Sequence, residues 1–257
     1  MTYVIASFSG GKDSTAMVLG MIEKGERLDK VLFCDTGLEF PAMYSHIEKV
    51  KKYVESHGIE FVTLKSNLTF EYMLYQKPVY SKKHGEHLGL GFPFIRTRWC
   101  TKHLKVIPMK EYAKSLDDNV LFCVGLAYDE KKRIDKPQNQ KDRHPLYEWG
   151  WTEKDCLDYC YSKGFDWYDP SINMGLYEIF DRTSCWLCSL SSIKNLKNLR
   201  KYYPDLWHKI GELWEKLKEQ REKELDIVPV GAIYFSHDCT WQQLEDRFAK
   251  EDLKEKE

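Results

Sequence analysis

The chain predicts a doubly wound α/β fold, with a mostly parallel five-stranded sheet and a C-terminal helical, cysteine-containing region. Three observations predict it. Short apolar runs alternate with amphipathic stretches over the first 65 residues, the rhythm of parallel strands joined by crossover helices. A glycine turn, Ser9-Gly10-Gly11-Lys12-Asp13-Ser14, separates the first apolar run from the first amphipathic stretch, the layout of a phosphate-cradling loop. The length, 257 residues, suits one large α/β domain with a smaller appended region.

In order, Tyr3–Phe8 reads as the first strand and Thr15–Lys24 as the helix after the glycine turn, stopped by Gly25. Lys30–Cys34 is the second strand, and Asp35-Thr36-Gly37 follows it. Pro41–His57 is helical with Gly58 as its stop, and Ile59–Leu64 is the third strand. Residues 77–99, with three glycines, two prolines and interspersed basic residues, read as a long loop or lid. Thr101–Leu116 is expected to be helical and bent or interrupted at Pro108. Val120–Leu126 is a fourth buried strand, and residues 129–144 are a densely charged stretch. Thr152 with Asp155 three residues on opens a helix to Lys163 as a capping box. Ile210, Leu213, Trp214 and Leu217 repeat at helical spacing in a helix expected to begin near Pro204, and the charged tail from Glu251 is expected to fray. The expected division is a nucleotide-binding α/β domain over 1–150, with its lid at 77–99, and a helical region over 151–257 packed on it. No internal repeat is visible.

Composition narrows the classes of function. Aromatic residues make up 14% of the chain, so a sizeable core can form. Net charge is −1, which gives no global field for non-specific nucleic-acid binding. No apolar run is long enough to span a membrane and no leader is evident. Eight cysteines in such a chain fit a reducing, cytoplasmic compartment, where they serve as core residues, metal ligands or redox groups.

The glycine turn is not the common P-loop, because Ala6 stands where that loop has its first glycine and Asp13 follows the lysine. Gly10 and Gly11 permit close backbone approach to an anion. Ser9, Ser14 and backbone N–H groups can donate to phosphate oxygens, Lys12 can neutralise charge, and the helix adds its dipole. The bland alternative is an ordinary strand-to-helix turn. In a doubly wound sheet, ligands bind where strand order reverses, at the C-terminal strand ends. Asp35 and Glu39 after the second strand are therefore candidates for ribose hydroxyls or Mg²⁺, with a polar turn capped by Asp35 as the alternative.

The Ser-Gly-Gly-Lys-Asp-Ser string resembles the pyrophosphate loop of the adenine nucleotide α-hydrolase superfamily, whose members act at or near the α-phosphate. Asp35-Thr36-Gly37 through Phe40-Pro41 resembles the phosphoadenosine phosphosulfate reductase family within it. So do Arg98-Trp99-Cys100 with Lys105, Gly125-Leu126-Ala127 with Glu130 and Arg133, Pro145-Leu146 with Trp151-Thr152 and Asp155, Asp169-Pro170, Gly175-Leu176, and Arg182 before Cys185-Trp186-Leu187-Cys188. The match runs from residue 5 to about residue 215. It implies a Rossmann-like fold and an adenine-nucleotide site built from Ser7, Ser9, Gly10, Gly11, Lys12, Asp13, Ser14, Asp35, Thr36, Gly37, Glu39, Arg98, Lys105, Gly125 and Arg133. It also implies that Lys12, Asp13, Asp35 and Cys100 are the catalytic groups. Two departures are visible. Ala127 stands where many family members carry an arginine, and the C-terminal segment bearing the reductases' nucleophilic cysteine is absent, with Cys239 the nearest candidate.

Cys185-x-x-Cys188 has the spacing of a chelating pair. Family topology implies that Cys100 joins it, and three thiolates suit a [4Fe–4S] cluster with one open iron. Cys239 or His103 could supply a fourth ligand, zinc is the competing metal, and no metal is the remaining reading. Cys34 and Cys123 read as core residues, Cys156 and Cys160 as packing partners on one helix, and His84, His87 and His144 as solvent-exposed.

Basic residues Lys77, Lys82, Lys83, His84, Arg96, Arg98, Lys102 and Lys105, interleaved with Tyr75, Tyr80 and Trp99, could steer a phosphorylated or nucleic-acid substrate. A second run, Lys131, Lys132, Arg133, Lys136, Lys141 and Arg143, reads equally as a solvated loop. The leading expectation is ATP- and Mg²⁺-dependent adenylation of an acceptor, followed by sulfur transfer assisted by the iron–sulfur cluster. The alternatives are a sulfonucleotide reductase releasing sulfite and a non-catalytic nucleotide-sensing subunit of a nucleic-acid-modifying or defence complex. Expected partners are the nucleotide, a sulfur donor or thiol reductant, a nucleic-acid acceptor and a second copy of the chain in a homodimer, with no membrane.

Overall fold

The computed structural model describes residues 2–82, 85–116, 119–136, 141–183, 185–224 and 233–254. The chain folds into two compact units, each assembled from two separated stretches: residues 1–66 with 105–184, and residues 67–104 with 185–257. The sequence-based boundary at 150 therefore differs from the observed division, in which each unit gathers two stretches that are distant in the chain.

The first unit is built on strands β1 (Thr2–Phe8), β2 (Lys30–Asp35), β3 (Glu60–Lys65) and a later strand, Asn119–Val124, all parallel. Between the first three lie helices α1 (Lys12–Glu23) and α2 (Pro41–Ser56). In β1 and β2, Ile5, Ala6, Val31 and Leu32 are fully buried, which is why these strands read as apolar runs without alternation. Helix α1 begins three residues before the predicted Thr15, so Lys12, Asp13 and Ser14 occupy its first turn.

The second unit opens with a π-helical turn at Tyr72–Gln76, followed by β4 (Pro78–Ser81) and β5 (Gly85–Leu88). The expected lid at 77–99 is thus partly an antiparallel hairpin. The expected helix over Thr101–Leu116 divides into a single turn, α3 (Trp99–Thr101), a π-helical turn at Lys102–Val106, and α4 (Ile107–Ser115). Pro108 sits in the first turn of α4, where its missing N–H costs little, and the expected interruption is the π-helical turn directly before it.

The later strand of the first unit, β6 (Asn119–Val124), is followed by a 3₁₀ turn at Tyr128–Glu130 and the short helices α5 (Lys131–Ile134) and α6 (Pro145–Glu148). Helix α7 (Glu153–Ser162) has Thr152 at its N-cap, with the predicted capping box formed to Asp155. A two-residue pair, β7 (Tyr168–Asp169) and β8 (Met174–Gly175), and α8 (Leu176–Ile179) complete this unit. The second unit ends with α9 (Ile193–Tyr202), α10 (Pro204–Glu224) and α11 (Trp241–Lys254). Helix α11 runs past Glu251, where fraying was expected, because Leu244 and Phe248 are buried and Arg200 on α9 donates to Asp252 at 2.5 Å.

Among the described residues the central sheet has four strands in the order β3-β2-β1-β6, one fewer than predicted. The missing fifth is reduced to a parallel bridge between Cys123 and Arg143. Arg143 N–H donates to Phe122 O at 2.8 Å and its carbonyl accepts from Val124 N–H at 2.9 Å. Two residues on, the ladder needs an N–H, and residue 145 is proline. The carbonyl of Val124 instead lies 3.4 Å from His144 Nδ1. Strand order reverses between β1 and β6, so the crevice where this fold class binds ligands lies at the ends of those two strands. No described helix is long and apolar enough to cross a membrane.

Candidate active site

The loop from β1 into α1 is held from several sides. Gly10 has φ +79°, and a Cβ there would lie 2.9 Å from Met43 Cε, so only glycine fits. Trp167 Nε1 donates to Gly10 O at 2.7 Å, and Ser9 N–H donates to Ser14 Oγ at 3.1 Å. Ser14 Oγ donates in turn to Gly11 O at 3.0 Å. The N–H of Lys12 donates to the Tyr177 hydroxyl at 2.7 Å, and that hydroxyl lies 2.8 Å from Thr183 Oγ1. Behind the loop, His46 stacks on Trp167 at 4.2 Å and bridges Thr15 Oγ1 and Asp166 O. Burial drives the His46 pKa down to about 4, so the imidazole is neutral and acts as a spacer.

Beside this loop lies a cavity of about 240 Å³. Its floor is the loop itself: Ser7, Ser9, Gly11, Lys12, Asp13 and Ser14. Val124 and Gly125 at the end of β6 close one side. A Cβ on Gly125 would stand 3.0 Å from the backbone of Asp13 and Ser14, so the strand approaches α1 only because the residue is glycine. Arg133, Tyr177, Arg182 and Thr183 close the other side. The cavity thus sits at the reversal of strand order and at the positive end of a 12-residue helix.

Its charges are paired. The Lys12 ammonium is buried and lies 2.5 Å from Glu153 Oε2 and 3.2 Å from Asp13 Oδ2. Burial disfavours the Lys12 charge, but the Asp13 and Glu153 carboxylates outweigh it and raise its pKa. Burial pushes the Asp13 carboxyl up to about 6, against the pull of Lys12. Its Oδ1 is buried with no hydrogen-bond partner. Burial also acts on Glu153, but Lys12 outweighs it and holds the pKa below the ordinary value. Glu130 accepts from both Arg133 and Arg182, the latter at 3.1 Å.

Of the residues expected from the sequence, Ser7, Ser9, Gly11, Lys12, Asp13, Ser14, Gly125 and Arg133 line this cavity, and Gly10 shapes it from behind. Asp35, Thr36, Gly37, Glu39 and Lys105 do not line it. They form a separate cluster at the end of β2, one strand away from the reversal. Asp35 accepts from Gly37 N–H at 2.9 Å, Tyr44 OH at 2.8 Å and Lys65 at 3.0 Å. Burial raises the Asp35 pKa, but these donors outweigh it and the net shift is down. Thr36 Oγ1 donates to Glu39 Oε1 at 3.1 Å, and the buried Glu39 lies 3.6 Å from Lys105 Nζ. Asp35 is the cap of this turn.

Arg98, Cys100, His103, Cys185, Cys188 and Cys239 belong to the second unit. Cys100 follows Trp99, whose indole donates to Gly91 O at 3.1 Å, and Cys239 N–H donates to Ser236 O at 2.9 Å in a tight turn. The thiols of Cys100, Cys185, Cys188 and Cys239 are all partly exposed. Among the described residues, no three His, Cys, Asp or Glu side chains are grouped so as to hold a metal ion. In the Cys185–Cys188 turn it is Trp186 and Leu187 that are buried, so the segment packs through its apolar residues. Cys34 and Cys123 are core residues as expected, with burial pushing each thiol up to about 11. Cys156 and Cys160 are fully buried, and Cys160 Sγ contacts Lys12 O at 3.5 Å under the loop. Two histidines expected in solvent are not there. His144 is buried against the end of β6, and His87 is half-buried on β5. Lys83 and His84 of the basic patch lie outside the described residues.

Sequence reasoning missed Glu130, Glu153, Tyr177, Arg182 and Thr183 as site residues. Arg182 stands just before the cysteine pair and Glu130 three residues after Ala127, so spacing offered some signal for both. Nothing local marks Tyr177, which reaches the loop from 165 residues away.

Several known proteins are similar to this chain. An uncharacterized protein of Methanocaldococcus jannaschii is 29% identical over 240 residues, 86% of this chain and 42% of that one. An uncharacterized nin region protein of Escherichia phage lambda is 28% identical over 155 residues, 52% of this chain and 51% of that one. Adenosine 5'-phosphosulfate reductase 1 of Bacillus subtilis is 27% identical over 157 residues, 56% of this chain and 60% of that one. The chain spans about half the length of the curated relatives it matches. Among solved structures, phosphoadenylyl-sulfate reductase from Candida auris in its phosphate complex aligns with a TM-score of 0.40 and 19% identity, over 64% of this chain and 73% of that one. Residues 3–188 match the phosphoadenosine phosphosulfate reductase domain, and the chain belongs to that family.

Proposed function

We propose that the cavity at the head of α1 binds the phosphates of an adenine nucleotide, and that the protein transfers AMP from ATP to an acceptor. One observation carries this reading: Ser9, Ser14, the first turn of α1, and Arg133 and Arg182 all line one cavity of about 240 Å³. Helix dipole, hydroxyl donors and guanidiniums at one point are what a pyrophosphate needs.

An acceptor oxygen attacks the α-phosphorus, the bond to the β-phosphate oxygen breaks, and pyrophosphate leaves with the negative charge that develops. Arg133 and Arg182 oppose that charge, and electrostatic stabilisation of this kind usually contributes most to the rate. Lys12 is committed to Asp13 and Glu153, so its part is to hold those two carboxylates. Mg²⁺ would ride on the phosphates, with Asp13 the carboxylate lining the cavity that could meet it. Asp35 is given no such part, because it does not line the cavity. The acceptor–AMP ester is then open to displacement by an external sulfur nucleophile. Among the described residues no three His, Cys, Asp or Glu side chains are grouped so as to hold a metal ion, and the steps above need no cluster.

A second reading, sulfonucleotide reduction, is favoured by the likeness to Bacillus proteins named adenosine 5'-phosphosulfate reductase. The experiment that tests both incubates anaerobically purified protein with ATP and candidate acceptors, or with adenylyl sulfate and a thiol reductant. Pyrophosphate and AMP from ATP support the first reading, and sulfite supports the second. Tight nucleotide binding without either product, together with a stable partner in pull-downs, points to a sensing subunit.

A further inference from the structure

The cavity's three cations, Lys12, Arg133 and Arg182, face three carboxylates, Asp13, Glu153 and Glu130. The pairs differ in exposure. Lys12 is buried between its partners, whereas Arg133 and Arg182 are 50% and 60% exposed at the side chain. Both arginines converge on Glu130, whose side chain is only 8% exposed. Glu130 is itself anchored, because its Oε2 accepts from Ala127 N–H at 3.4 Å across the 3₁₀ turn. Its Oε1 accepts from Arg133 Nη1 and, at 3.1 Å, from Arg182 Nη2.

We propose that Glu130 is a positioning residue for the nucleotide phosphates, gathering Arg133 and Arg182 at the rim of the cavity on one fixed carboxylate. The inference rests on reading that cavity as the phosphate site. Two half-exposed guanidiniums brought from α5 and from the segment after α8 repel each other and sample many rotamers. A shared, desolvated carboxylate removes the repulsion and much of that freedom before the ligand arrives, which is preorganisation. A guanidinium carries five N–H donors in a fixed fork, so one bond to Glu130 orients it without exhausting it. Both arginines line the cavity while bonded to Glu130.

The test is calorimetric titration of the full chain, and of Glu130→Gln, Arg182→Gln and the double variant, with inorganic pyrophosphate. Glutamine keeps the side-chain volume and an oxygen for the Ala127 N–H, and thermal melts followed by circular dichroism check that each variant folds. Glu130→Gln is expected to weaken pyrophosphate binding about fivefold, and to cost clearly less when Arg182 is already gone, the mark of groups acting as a unit. Unchanged or tighter binding by Glu130→Gln overturns the inference, as does an equal penalty in both backgrounds. A wild-type chain that binds pyrophosphate while Glu130→Gln matches it leaves the phosphate site standing and removes only the role of Glu130. A wild-type chain that binds neither pyrophosphate nor ATP removes the phosphate site and this inference with it.

Discussion

Lys12 is the lysine of the Ser-Gly-Gly-Lys-Asp-Ser string, yet its ammonium is buried against Glu153 and Asp13. Removing it by Lys12→Met leaves two carboxylates without their cation. The expected loss is about 2–3 kcal/mol of stability, below the full value for a buried pair because Glu153 is partly exposed. Urea denaturation measures it, and a loss within error of zero would mean that the ammonium is spare. Asp13 gives a pH signature. Its folded pKa of about 6 lies above the ordinary carboxylate value, so its contribution is fully present at acid pH and is lost as pH rises through the folded value. Between pH 4 and 6 the wild-type chain is expected to lose about 2–3 kcal/mol relative to Asp13→Asn, and to run parallel to it above pH 7. Parallel curves across the whole range would contradict the shift. The lysine and aspartate were visible in the string, but their partner Glu153 lies 141 residues away and no local pattern could announce it.

At the scale of elements, two short features hold the site in place. Thr152 caps α7 by accepting from Asp155 N–H at 3.2 Å, and the next residue, Glu153, carries the carboxylate that reaches Lys12. Thr152→Ala is expected to cost about 1 kcal/mol in thermal or urea unfolding, the usual value of a lost cap. A change below about 0.3 kcal/mol would mean that packing against α1 alone sets that end of α7. Gly125 is the second feature. A methyl group there meets the backbone of Asp13 and Ser14, which cannot move as a flexible side-chain tip can. Gly125→Ala is expected to weaken nucleotide binding about tenfold or more, a larger effect than its effect on stability, because it parts β6 from α1 where the phosphates would lie. Titration with ATP beside a melting curve separates the two. The capping box and the glycine turn were legible because their partners lie within three residues. The fifth strand was misjudged because Pro145 stops the ladder after a single bridge.

For the whole molecule, each unit depends on stretches far apart in the chain, as the second unit shows at Arg221. This side chain on α10 is buried and donates to Leu88 O and Gly89 O, each at 2.7 Å, at the end of the β4–β5 hairpin. Arg221→Met removes the side-chain donor of the Gly89 carbonyl and leaves Leu88 O with Gln220 Nε2 at 3.2 Å, and the expected cost is about 1–2 kcal/mol in unfolding. Faster amide exchange in β4 and β5 would locate the loss, and unchanged exchange there would contradict it. By itself the sequence determined the parallel α/β plan, the glycine turn between β1 and α1 and the family, since all three are carried by residues close together in the chain: apolar runs, glycines and spaced motifs. Only the tertiary structure decided that Asp35 caps a turn, that Lys12 is bound to Glu153, and that Arg133 and Arg182 meet at Glu130. Those outcomes depend on burial and on pairing between stretches up to 141 residues apart, which local pattern does not encode.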